Sequence, residues 1–197
     1  MDASEAQKIM GSNFFGLEFL SEHFGAATGE DKRAEILFSR EVLGQCANSH
    51  VLVLQSRLSM ASMAEDCPEL FCSKPWEDSE AYSFAYNYSE PRWFLLQKTL
   101  VDESKNEVPE RQVALLSANE EIPQAVQVVS AVRFYLLHTG IWLFDGEHAR
   151  CCEEPTSGWR AEVWSNWEGK VRISISPSDS RHPDLGIASL RKPDLDI

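Results

Sequence analysis

The hydrophobic positions of this chain change rhythm from end to end: helical at the front, unbroken in the middle, alternating toward the close. Phe14, Leu17, Leu20 and Phe24 recur at helical spacing, predicting a helix over 13–24 with Ser12 as N-cap and Gly25 as stop. After a turn at 26–29, a short helix is expected over 30–37. Ser39 opens another, through Glu41, Val42 and Leu43 to Ala47. The run Val51-Leu52-Val53-Leu54 has no polar alternation, so residues 50–58 read as a strand buried on both faces, and 92–99 reads as a second.

Between those strands, residues 60–91 are the least regular stretch, punctuated by Pro68, Pro75 and Pro91. A loop of that length in a compact domain either carries function or hides structure. A hidden strand is expected at 80–88, where Tyr82, Phe84, Tyr86 and Tyr88 alternate with smaller residues and would share one face. A polar connection follows at 102–110. Ser117 and Glu120 have the spacing of a capping box. They precede the strongest helical pattern, residues 124–138, with Ala125, Val128, Val129, Val132, Tyr135 and Leu136 on one face and Gly140 at its end.

Short strands are expected at 141–144 and 147–152, around an Asp145-Gly146 turn. Residues 159–175 then alternate about Trp167-Glu168-Gly169, a three-residue loop with glycine where a type I turn plus bulge needs a left-handed residue. That loop pairs Ser165 with Val171, Val163 with Ile173 and Ala161 with Ile175, gathering apolar positions on one face. On the other face it sets Trp164 opposite Arg172, within reach of a cation–π contact. These elements describe an α+β fold with N-terminal helices, one central long helix and a mainly antiparallel sheet carrying a C-terminal β-hairpin. A length of 197 residues fits one domain, 1–197.

Composition narrows the function more than the fold. The formal net charge is −13, and acidic residues outnumber basic ones in every quarter of the chain, so nothing supplies the basic footprint that direct nucleic-acid binding needs. No apolar run approaches the roughly 20 residues of a spanning helix, and the start Met1-Asp2-Ala3-Ser4-Glu5 lacks the basic and apolar regions of a signal peptide. A cytoplasmic protein without membrane contact is expected. The five cysteines, an odd number without scaffold-like spacing, read as reduced thiols.

Cys67-x4-Cys72 with Cys151-Cys152 and five histidines raises the question of zinc. The spacing is poor, and adjacent cysteines on a strand face opposite ways, so no metal is expected. A cysteine nucleophile would need a base among His23, His50, His138, His148 and His182, and no family signature surrounds any cysteine. Ser180-Arg181-His182, between Asp179 and Asp184, holds the residue types of a hydrolytic triad. Neighbours on an extended segment diverge, so it reads as a polar turn. Without a dinucleotide fingerprint, phosphate loop or nucleophile elbow, no cofactor is expected. The tyrosine row Tyr82, Tyr86 and Tyr88, with Trp76 close before it, is the leading candidate for recognition, offering apolar rings with hydroxyl handles. A covering helix would make the same row core.

Asn13-Phe14-Phe15-Gly16-Leu17-Glu18 with His23-Phe24-Gly25, and the ending Leu185-Gly186-Ile187-Ala188-Ser189-Leu190-Arg191-Lys192, are similar to the two ends of a group of uncharacterised bacterial proteins of about this length. That resemblance implies no activity and no catalytic residue. The chain therefore reads as a non-catalytic recognition protein for a protein partner or small ligand, with Trp76, Tyr82, Tyr86, Tyr88, Trp164 and Arg172 as candidate contacts. One alternative is a small cytosolic hydrolase or transferase dependent on Cys and His, which would show a cysteine and a histidine within hydrogen-bond reach. Another is an acidic inhibitor of a nucleic-acid-binding protein, with its carboxylates gathered on one face.

Overall fold

The two unbroken apolar runs pair with each other. In the computed structural model, which describes residues 1–24 and 29–194, β2 (His50–Gln55) and β3 (Arg92–Gln97) run antiparallel from the pair His50–Gln97 to Gln55–Arg92. Their centres are buried, as runs without polar alternation require. β1 (Phe14–Phe15) lies parallel to β2, and β9 (Leu190–Arg191) and β4 (Glu120–Glu121) extend the other side, giving the order β1-β2-β3-β9-β4.

A second, four-stranded sheet has the order β7-β6-β5-β8, from β5 (His148–Arg150), β6 (Trp159–Trp167), β7 (Lys170–Pro177) and β8 (Leu185–Ile187). Alternation splits its residues between two faces. Ala149, Ala161, Val163, Val171 and Ile173 belong to the hydrophobic core. His148, Arg150, Glu162, Trp164, Arg172 and Ser174 take the opposite face, which the β7–β8 connection crosses. The long helix α6 (Ala125–Thr139) touches β2 of one sheet and β6 of the other. Its residues from Ala125 to Phe134 are buried on every side, so it is a central helix of this α+β fold and not a surface one.

The hairpin pairs Ala161 with Ile175, Val163 with Ile173 and Trp164 with Arg172, as its alternation predicts. Its turn differs from expectation. Trp167 pairs with Lys170 around a two-residue loop, Glu168-Gly169, whose φ values of 52° and 78° fit a type I′ turn. The residue left over is absorbed as a bulge between Trp164 and Trp167, where Asn166 has φ 58°, and so Ser165 is not paired with Val171.

Several local expectations yield to tertiary contacts. The helix read over 13–24 is instead α1 (Ala3–Met10), a 3-10 turn at Gly11–Asn13, β1 and α2 (Leu17–Phe24); the Gly25 stop lies outside the described residues. Phe14 and Phe15 leave the helical path because they pair with Leu52 and Val53. Gly16 sits under Phe14 and Trp93, where a Cβ would stand 2.6 Å from one ring and 3.1 Å from the other. Residues 30–37 hold only a 3-10 turn, Asp31–Arg33, whereas α3 (Arg40–Cys46) begins as read, with Ser39 Oγ accepting the Val42 N–H at 3.3 Å.

The irregular stretch conceals α4 (Met60–Asp66) and 3-10 turns at Pro68–Leu70, Pro75–Glu77 and Glu80–Tyr86. The last of these replaces the strand expected at 80–88. α5 (Pro109–Ala114) grows from the segment read as a polar connection. Ser117 N–H does donate to Glu120 Oε2 at 2.8 Å, yet Glu120 enters β4, and the helix starts only after Gln124, which makes the capping pair with Gln127. Residues 141–144 hold no strand, a turn running over 143–146 instead, and β5 is shorter than the 147–152 read for it.

Candidate functional site

Register alone assembles the most chemically distinctive group on the second sheet. His148 on β5 lies opposite Trp164 on β6, and Trp164 lies opposite Arg172 on β7, so three strands present one row. Because β5 and β7 flank β6, the indole is enclosed from both sides. Its centroid is 3.1 Å from that of the His148 ring at 26°, and the Arg172 guanidinium lies 5.5 Å from the same indole. The β7–β8 connection adds His182, whose ring stacks on His148 at 5.0 Å and 12°. The result is a four-layer stack: His182, His148, Trp164, Arg172.

The stack is held from several directions. Trp164 Nε1 donates to Ser174 Oγ at 3.0 Å. The Asp184 N–H donates to His182 Nδ1 at 3.2 Å, which leaves the proton of a neutral His182 ring on Nε2, and the Asp184 carboxylate lies 3.6 Å from Nδ1. Asp184 O accepts the His148 N–H at 2.9 Å, tying the connection to the strand beneath it. Carried by the bulge, Trp167 meets Trp164 edge-on at 4.7 Å and 86°, with Arg172 5.5 Å from its ring as well. Among the described residues, Arg172 has no side-chain hydrogen bond or ion pair, so its donors remain available while two indoles fix its position.

Beside the stack is a cleft of about 240 Å³ lined by Gly146, His148, Trp164, Ser165, Asn166, Trp167, His182 and Asp184. Burial pushes the His148 pKa down to about 4, and the neighbouring His182 and Arg172 push the same way against Asp184. The imidazole is therefore neutral at physiological pH. The cleft offers ring edges, the half-exposed His182 and the Asp184 carboxylate.

The tyrosine row singled out in the sequence is not aligned on one face. Trp76 is core, edge-on to Phe71 at 5.9 Å. Tyr82 is half-buried against the core, while Tyr86 and Tyr88 are 51% and 59% exposed, so a 3-10 turn disperses the row that a strand would have aligned. Tyr86→Ala removes a largely exposed ring and one weak bond to Trp76 O at 3.4 Å, and is expected to shift stability by no more than about 0.5 kcal/mol in a thermal melt. Trp164 and Arg172 do meet. His148 and His182 complete their site, and sequence reasoning missed them because 34 residues separate two rings that only the parallel β5–β8 pairing brings together.

The thiols are poorly placed for nucleophilic work. Burial raises the pKa of Cys46, Cys67, Cys151 and Cys152, and exposed Cys72 contacts Ser73. Cys67 accepts from Arg133 Nη2 at 2.6 Å, and even there burial outweighs the cation. Among the described residues no group of three or more His, Cys, Asp or Glu is arranged to hold a metal ion, and no helix is long and apolar enough to cross a membrane. No protein-family model, curated protein or solved structure matches the chain.

Proposed function

We propose that this protein is a non-catalytic recognition module that holds a protein partner or small ligand at the cleft formed by His148, Trp164, Trp167 and His182. The observation that carries this reading is the stack itself: rings and guanidinium are packed in one row, and Trp167 remains 38% exposed at the rim. Rigid aromatic anchors beside a positioned cation give affinity at low entropic cost. The raised thiols favour recognition over the cysteine-dependent alternative, because the thiolate is the nucleophile.

Trp167→Ala should leave the hairpin paired, since its ring lies outside the core, while removing the rim of the cleft. Captured species identified from cell extract by mass spectrometry, then titrated against the purified protein by tryptophan fluorescence, should bind the native chain and lose roughly tenfold or more in affinity with the variant. Equal affinity for both proteins, at equal melting temperature, would remove the cleft from the function.

A further inference from the structure

The N-terminal helices leave apolar side chains uncovered in a groove. α1 and α2 meet the last turn of α6 around a cavity of about 720 Å³, a size common for ligand sites. Phe14 of β1 with Leu17 and Phe19 of α2 line it, each only half-buried against the core. Leu137 of α6 joins them with its side chain 49% exposed. Phe19 packs with His23 at 4.3 Å and 52° and meets His138 edge-on at 6.3 Å and 80°, so three rings share the groove.

The charges around these rings have one sign. Glu18 and Glu22 line the groove from α2, where a spacing of four residues sets them on one helix face, and both are exposed. None of the ion pairs among the described residues includes either one, and no Lys or Arg is among the described residues that line the groove. Elsewhere Glu5, Glu147 and Glu154 each pair with a Lys or Arg. An uncovered apolar patch rimmed by polar groups marks an interaction surface. Here the rim also states the charge of what it takes.

We propose that this groove docks an extended segment of a partner protein in which arginines alternate with large apolar residues. The apolar side chains lie on Phe14, Leu17, Phe19 and Leu137, and the guanidiniums reach Glu18 and Glu22. Arginine suits the groove better than lysine, because a guanidinium pairs with carboxylates bidentately and also stacks on rings. The carboxylates repel an acidic segment, and a net charge of −13 steers a basic one toward the chain. A second copy is disfavoured as the occupant, since it carries the same acid excess. The groove shares no lining residue with the Trp164 cleft, so the two surfaces are independent.

The test is calorimetric titration of the full chain at neutral pH with an end-blocked Leu-Arg repeat hexapeptide, beside Leu-Gln and Leu-Glu repeats and hexa-arginine. The Leu-Arg repeat should bind at one site, weaken with added salt and exceed the other three by roughly tenfold or more in affinity. Glu18→Gln with Glu22→Gln should lower that affinity by roughly tenfold at an unchanged melting temperature. Glu65→Gln with Asp66→Asn removes the same charge from exposed positions of α4 and should leave it within about twofold. Gln7→Trp fills the groove from an exposed position of α1 and should block binding. The proposal is overturned by absence of saturable Leu-Arg binding, by equal binding of hexa-arginine or the Leu-Gln repeat, by equal losses in the two charge-removing pairs, or by native affinity in Gln7→Trp. Loss of binding in Trp167→Ala would move the peptide to the Trp164 cleft, and dimerisation abolished by Gln7→Trp would give the groove to a second copy; either result also overturns it.

Discussion

Val132→Asp should abolish cooperative folding or lower the melting temperature by roughly 10–20 °C, the consequence of about 5 kcal/mol in a protein of this size. Val132 is 0% exposed, on a helix buried all round between two sheets. A carboxylate there finds no cation and must either stay charged in an apolar site or take up a proton, and both are costly. Leu137→Asp is the internal control, because the same helix leaves that side chain 49% exposed. Its melting temperature should stay within about 2 °C of the native value. Circular dichroism melts of both variants decide the matter: equal behaviour would mean α6 is not enclosed.

Legibility followed the range of the contacts. α6, the β2 and β3 runs, the Ser39 cap and the hairpin pairing of Val163 with Ile173 each express a rule acting within a few residues or across one turn, and each was readable. Phe14 and Phe15 have helical spacing and helical neighbours, yet pairing with β2 converts them to strand, which no local pattern announces. Alternation at Tyr82, Phe84, Tyr86 and Tyr88 misled for a different reason. Ser79 caps a 3-10 turn there, Oγ accepting the Ala81 N–H at 3.3 Å, and three residues per turn spreads such a row around the axis. Half of the candidate site was legible because Trp164 and Arg172 are hairpin neighbours. Its histidines were not, since β5 meets β8 only after the chain has built the hairpin between them.

Acid should destabilise the protein well before its carboxylates are titrated. The His148 and His50 pKa values are both pushed down to about 4, chiefly by burial, from an ordinary value near 6.5. As pH falls below about 6.5 the unfolded chain binds protons at these rings and the folded chain does not, so stability is complete above that value and is lost progressively toward pH 4. At pH 5 the loss at His148, which is 3% exposed, is of order 2 kcal/mol; His50 is more exposed and contributes less. Glu153 and Glu162 act in the opposite sense, because burial raises their pKa and the folded state is the better proton acceptor there. They blunt the lower end of the window and leave its upper end to the histidines. The melting temperature should therefore drop by roughly 4–8 °C between pH 7 and pH 5. His148→Phe keeps a ring between His182 and Trp164 but has no proton to bind, so its drop should be less than half the native one. A native melting temperature that is flat over this range, or a drop unchanged in His148→Phe, would show that the imidazole in the stack is not held neutral by its burial.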